Sequence, residues 1–462
     1  MRRPAPGIRA GLAGAALLVA AALPGGATPA GAQEVSGSLT FEEAVRLALE
    51  HNPAYLRQLH TVESAEYGER RSFGTAFLPS LSAGLGFNGS TFRRKTAEDD
   101  FGNPIGGTDF VENTTSSASQ GLNLGSISLL NIQGWRGYGA ARSQTDARLA
   151  AVTLQAAQLR TQVGQTYWRA VQAEQLIAVE ERQLESARQQ LAAVQQLLRL
   201  AARQPTDVLG AELQVAQAEQ SLQQATGTAR KERLRLEQAM GVALGQTFDL
   251  ATGWPQVFDP AALDRSALVR RAIEDGPRIA QEEASVSAAE GQLGVARAAR
   301  YPTISGNASW GRSTSAQDYQ AFGQLDLPNR SWGFGVNVNL PIFNRLSTSA
   351  QVGQAEVDVR SAEEGLREAR LQIEQEVRAA VIDLESAYTA VQLAERSAEI
   401  ARERLRQGEE LYRLGSLGYT ELQRMSDDVA SAERGVVNAY SQFANALLQL
   451  EEKLGGPIEA GP

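Results

Sequence analysis

The sequence predicts a mainly α-helical protein with a small β part, laid out as duplicated helix-strand-strand-helix repeats. Three observations carry that prediction. Two very long stretches, roughly 139–202 and 353–414, place apolar and small residues at steps of three and four, the period of helices packed side by side as in coiled coils. Four short stretches alternate apolar with small polar residues. In the clearest of them Trp332, Phe334, Val336, Val338 and Leu340 are separated by Gly333, Gly335, Asn337 and Asn339, the pattern of a strand with one oily face and one wet face. The third observation is that the order of elements occurs twice.

The duplication can be followed residue by residue. Ala48, Glu50 and Pro53 recur as Ala272, Glu274 and Pro277 at an offset of 224. The offset is 223 at Pro79 and Pro302, and 214 at Gly121/Gly335, Asn123/Asn337, Arg199/Arg413, Thr206/Thr420, Glu219/Glu433 and Gly241/Gly455. The length difference therefore falls between the two strands of each repeat, where a loop belongs. The boundaries that follow are a first repeat over 39–241, a linker over 242–262, a second repeat over 263–455 and a tail over 456–462.

Taken in order, residues 1–32 carry Arg2, Arg3 and Arg9, an apolar run from Gly11 to Leu23 and the small residues Ala30-Gly31-Ala32. This is the layout of a secretory signal peptide, with an apolar run too short to span a bilayer. The first helix opens with Thr40 as N-cap and Glu43 three residues later, a capping box. A strand over 80–92 places Leu81, Ala83, Leu85 and Phe87 on one face; a polar loop over 93–115 and a second strand over 117–130 follow. The first long helix would be on the order of 90 Å at 1.5 Å per residue, and a helix over 207–240 returns alongside it. In the second repeat the strands are 302–314, with Ile304, Ala308 and Trp310 on one face, and 330–343; the helices are 353–414 and 420–454.

Composition narrows the chemistry. The formal net charge of -9 becomes -12 once the three arginines of residues 1–32 are removed, and the chain has three lysines, so no basic patch of the nucleic-acid type is expected. Without cysteine there is neither a disulfide nor thiol chemistry. The two histidines, His51 and His60, are spaced unsuitably for a same-face metal pair. No phosphate loop or nucleophile elbow occurs. No enzymatic activity, cofactor or metal is expected.

Four amphipathic strands cannot form an open sheet in lipid, because the outer edges would leave backbone groups unpaired in hydrocarbon. Membrane barrels close, with at least eight strands, so two chains would give eight strands and three would give twelve. The alternative is a sheet buried in protein, in a periplasmic coiled-coil scaffold that never enters a membrane.

The duplicated plan, with 47-LALEHNP-53, 78-LPSLSAGLGF-87, 340-LPIFN-344 and 411-LYRLGSLGYTELQRMSDDVASAERG-435, resembles the TolC family of outer-membrane channel proteins over 39–455. The resemblance implies four strands per chain contributing to a shared transmembrane β-barrel in a homotrimer, and a long α-helical barrel reaching into the periplasm. It also implies docking to a periplasmic adaptor and an inner-membrane transporter, for efflux or type I secretion. Lipid-facing strand residues would be Leu81, Leu85, Phe87, Trp310, Trp332, Phe334, Val336, Val338 and Leu340. The hairpin tips would be Leu200, Ala201 and Ala202 in repeat one and Leu414, Gly415 and Ser416 in repeat two. Glu421 falls where the family has a ring of constricting carboxylates, with Asp207 at the matching place in repeat one. A second family acid is replaced by Arg424. The bland reading of Asp207 and Glu421 is that they favour the positive end of a helix.

Overall fold

The structure is a computed structural model. It describes residues 38–458 apart from 96, 98, 102, 105–109, 200–203, 246–247 and 318. The expected signal peptide (residues 1–32) and the tip residues Leu200, Ala201 and Ala202 lie outside the described residues.

Repeat one runs β1 (Ser38–Leu39), α1 (Phe41–His51), α2 (Pro53–Phe77), β2 (Leu81–Lys95), β3 (Phe110–Leu130), α3 (Ile132–Arg199) and α4 (Pro205–Met240). After β4 (Asp249–Leu250), repeat two runs α5 (Arg265–Glu274), α6 (Pro277–Ala298), β5 (Thr303–Gln317), β6 (Asn329–Asn339), α7 (Ser347–Arg413) and α8 (Tyr419–Leu454). The long helices have 68 and 67 residues, about 100 Å each at 1.5 Å per residue.

Four expectations change. The single opening helix of each repeat is broken in two, because Pro53 and Pro277 supply no N–H to continue a helix and instead start new ones. Asn52 caps the break, accepting from the N–H of Ala54 (2.9 Å) and Tyr55 (3.2 Å). The first two strands reach further into the 93–115 segment than alternation of apolar residues foretold. There the ladder is continued by polar cross-strand pairs, Ser90 with Thr115 and Thr91 with Thr114, each 3.0 Å between hydroxyls. The last strand ends at Asn339, so Leu340 stands just outside it; Pro341 has no N–H for a ladder. The long helices begin earlier, at Ile132 and Ser347.

The helical cores follow the predicted periodicity. Leu184, Ala187 and Val194 are buried on α3, and Val391, Ala398, Gly408 and Tyr412 on α7. Repeat one buries Leu39, Val163, Tyr167, Leu236 and Met240 around β1 and β4, with Ala444 and Leu448 from α8; repeat two buries Ile373, Val377, Leu384, Phe443, Leu450 and Leu454. Each large side chain so buried contributes about 1.5–3 kcal/mol. The Tyr167 hydroxyl lies 3.2 Å from the carbonyl oxygen of Leu39 and 2.8 Å from that of Ala251, and burial pushes its pKa up to about 12.

The returning helices α4 and α8 end alike. Gly241 and Gly455 adopt φ of +76° and +73°, the left-handed region where glycine alone is unstrained. Each donates to the carbonyl three residues back, and the next residue donates five residues back: Val242 to Glu237 and Gly456 to Glu451. This is the Schellman closure of a helix. Both glycines press on the helix break of their own repeat, Gly241 on His51 and Asn52 and Gly455 on Asp275 and Pro277.

Candidate functional site

Two places concentrate the unusual chemistry: the four-stranded sheet and the α7–α8 hairpin tip. The sheet is antiparallel throughout, in the order β2-β3-β5-β6. Residues directly opposite one another share a face, so the register sorts the side chains into rows. One face carries Leu81, Leu124, Ala308 and Phe334 in one row and Ala83, Leu122, Trp310 and Trp332 in the next. The other face carries Ser82, Asn123, Ser309 and Gly333, then Gly84, Gly121, Gly311 and Ser331. The two faces are as different as an oil surface and a water surface.

The apolar face is bare. Trp332, Phe334, Val336 and Val338 are 80%, 92%, 67% and 66% exposed, and Leu81 and Leu85 are exposed too, whereas a water-soluble sheet covers such a face. Trp310 is half-buried against Trp332, ring centroids 6.1 Å apart. Phe87 departs from the expectation. The β5–β6 connection folds back as a strap over this face, setting Phe322 5.7 Å from Phe87, Tyr319 in hydroxyl contact with Thr91 at 3.1 Å, and the Ala321 N–H on the Ser116 hydroxyl at 3.0 Å. Phe87 is therefore shielded by the chain itself. Neither β2 nor β6 pairs with a second strand along its outer edge among the described residues.

At the tip, α7 ends at Arg413 and is capped by Leu414, which is 77% exposed. Gly415 takes φ +83°, and the N–H groups of Gly415 and Ser416 reach back to the carbonyls of Tyr412 and Leu411 at 3.1 and 3.0 Å, another Schellman closure. Behind the turn Tyr412 and Tyr419 pack at 6.3 Å, and the Tyr419 hydroxyl donates to Gln214 on α4 at 2.9 Å. Burial holds the Tyr419 phenol up at about 12.

Glu421 is in the first turn of α8 and Asp207 in the first turn of α4. Their surroundings differ. Glu421 accepts from Arg404 at 3.2 Å and from Arg424 at 3.1 Å, and Arg404 also holds Asp428 at 2.7 Å. Arg424 thus pairs with the acid one turn before it. Arg404 and Asp428 escaped notice in the sequence, although Glu421 and Asp428 are seven residues apart on one helix face. Asp427 is pushed up from the ordinary aspartate value by burial. Among the described residues no group of three or more His, Asp or Glu is placed to hold a metal ion, and no helix is long and apolar enough to cross a membrane.

A duplicated helical body with one bare amphipathic sheet is the architecture of an outer-membrane channel protein. Comparison with known proteins agrees: the chain belongs to the outer membrane efflux protein family, whose pattern it matches over residues 44–242 and 268–456. It is 26% identical to Protein CyaE of Bordetella pertussis over 424 residues, covering 90% of this chain and 85% of that one. Its fold matches a membrane protein from Pseudomonas aeruginosa with a TM-score of 0.71 at 23% identity, covering 91% of each chain. It also matches the CmeC outer membrane channel of Campylobacter jejuni with a TM-score of 0.70 at 17% identity, covering 91% of this chain and 87% of that one. The protein is an outer-membrane efflux duct with a helical tunnel on the periplasmic side.

Proposed function

We propose that three copies of this chain close a twelve-stranded barrel and that the assembly serves as a passive conduit, docked through its hairpin tips to a periplasmic adaptor and an inner-membrane transporter. The observation that carries this reading is the sheet: one bare apolar face, one face of Gly, Ser and Asn, and two open edges. In hydrocarbon every edge must find a partner, and the partner that repeats the same edges is another copy of the chain. Leu81, Leu85, Trp310, Trp332, Phe334, Val336 and Val338 then face lipid, and the small polar residues line a wet lumen. The two repeats, 39–241 and 263–455, supply equivalent halves of the wall, joined by the 242–262 linker. Export of the purified full chain into planar bilayers tests this directly: a heat-modifiable trimer with a steady conductance is expected. A soluble monomer would overturn it.

The tip is the proposed periplasmic entrance, with Leu414, Gly415 and Ser416 meeting the adaptor. Of its two acids, Asp207 has no arginine partner among the described residues, whereas the Glu421 charge is balanced by Arg404 and Arg424. Three copies of Asp207 around a narrow mouth favour cations. Asp207→Asn should therefore lower cation selectivity in bilayer recordings more than Glu421→Gln does. Unchanged selectivity in Asp207→Asn refutes the role.

A further inference from the structure

We infer that Arg312 and Arg330 form a binding site for the phosphate of an outer-leaflet lipid headgroup, a phosphorylated glycolipid. The inference rests on the apolar face being the lipid-facing one. The two arginines stand directly opposite each other in the β5–β6 ladder, one row beyond the Trp310–Trp332 pair and on the same face. Like charges placed opposite one another in a ladder repel, so an isolated pair of this kind is destabilising. Compensation within the chain is incomplete. Arg312 donates from Nε to the Leu327 carbonyl at 2.9 Å and lies 3.7 Å from the carboxylate of Asp326, which is itself fully exposed. Arg330 is exposed. Among the described residues two guanidiniums thus face one solvated carboxylate, and an anion between them would complete the set.

Depth points to the source of that anion. From Trp332 to Leu340 the apolar band on β6 covers eight residue steps, roughly 27 Å along an extended strand, or about 21 Å along the membrane normal at the usual barrel tilt. That comes near the ~25 Å height of an outer-membrane apolar band. The tryptophans then sit at the interface, where indoles prefer to lie, and the guanidiniums one step outward, at headgroup level. A guanidinium matches a phosphate with two parallel N–H donors. Just above, the strap of residues 319–328 covers the face, with Ala321 and Leu327 fully buried. Acyl chains lying on the tryptophans would end against the strap, with their headgroup beside Arg312 and Arg330.

The test uses the full mature chain in detergent, with diphosphoryl lipid A and the same lipid stripped of its phosphates as probes, and native mass spectrometry as the readout. The wild-type protein should retain the phosphorylated lipid about tenfold better or more, given ~1 kcal/mol per basic residue near an anionic surface. R312Q/R330Q should bring the ratio to within about twofold, while R330K, which keeps charge but loses the fork, should fall between. Equal retention of both lipids by the wild type, or an undiminished ratio in R312Q/R330Q, overturns the inference. Should the double variant fail to assemble, R330Q alone decides, since Arg330 is exposed and its loss uncovers no core. Channel insertion of the wild type separates the two readings: insertion without phosphate preference sinks only the lipid site, and no insertion sinks the membrane reading with it.

Discussion

The two repeats share one order of elements, and their differences are instructive. Where helices must pack, the copies agree to the level of single contacts. Gly241 and Gly455 close their helices in the same way. Arg188 holds Glu219 at 3.0 Å, and their counterparts 214 residues on, Arg402 and Glu433, are 2.8 Å apart. Where the copies meet each other, they diverge. Glu433 takes a second arginine, Arg182 of the other repeat, at 3.1 Å. Arg434 donates to the buried Glu180 of α3 at 2.6 and 3.0 Å, whereas the counterparts of that pair are Gln220 and Ala394. Duplication preserved the bonds inside each hairpin, and the asymmetry was added at the seam between hairpins.

The largest effect that would sharpen this comparison is expected at the helix-closing glycines. A Cβ on Gly241 would meet the His51 carbonyl oxygen at 2.5 Å, in backbone, whereas one on Gly455 would meet the Pro277 ring at 3.0 Å. Both also pay the left-handed penalty of about 1–2 kcal/mol. Gly241→Ala should therefore destabilise by ~3 kcal/mol and Gly455→Ala by ~1–2 kcal/mol, read as shifts in denaturation midpoint. Equal losses would mean that the two closures are equivalent after all.

Next in size is the seam. Glu180→Ala leaves the half-exposed Arg434 without its carboxylate, and ~2 kcal/mol of loss is expected, below the full cost of orphaning a wholly buried charge. A double-mutant cycle with Arg434→Ala isolates the coupling; a coupling near zero would make the seam incidental. The exposed pair Arg188–Glu219 is worth under about 1 kcal/mol, so Arg188→Gln should barely register, whereas Arg182→Gln with Arg402→Gln strips the mostly buried Glu433 of both partners and should cost more.

The smallest effect concerns acidity at the tip. Asp427 has its folded pKa raised by burial above the ordinary 3.8. A raised carboxyl stabilises the fold fully below the unfolded value and loses that contribution as pH rises through the folded one. The local stability of α8 should accordingly decline slightly as pH climbs from about 4, and Asp427→Asn should flatten that slope in hydrogen exchange corrected for intrinsic rate. A slope unchanged in Asp427→Asn would assign it elsewhere.

Much of the architecture was legible because it rests on periodicity. The long helices and the alternation from Trp332 to Val338 are local patterns. The extensions of β2 and β3 were not, since Ser90, Thr91, Thr114 and Thr115 pair through hydroxyls and carry no apolar rhythm. The strap over Phe87 was hidden for another reason: residues 319–328 carry no local period, and only the fold brings Phe322 across 235 positions of chain to meet Phe87. At the tip, the acids were singled out by resemblance, but the pairing of Glu421 with Arg404 and Arg424 needed the geometry of two helices.

The wet face of the sheet has one further consequence. From Ser82 to Ser90 on β2, and across its partners on the other strands, every side chain on that side is Gly, Ser, Thr, Asn or Gln. In the proposed barrel a departing solute, whether anion, cation or neutral, crosses that stretch without meeting a fixed charge. Discrimination by charge then has to act elsewhere along the duct.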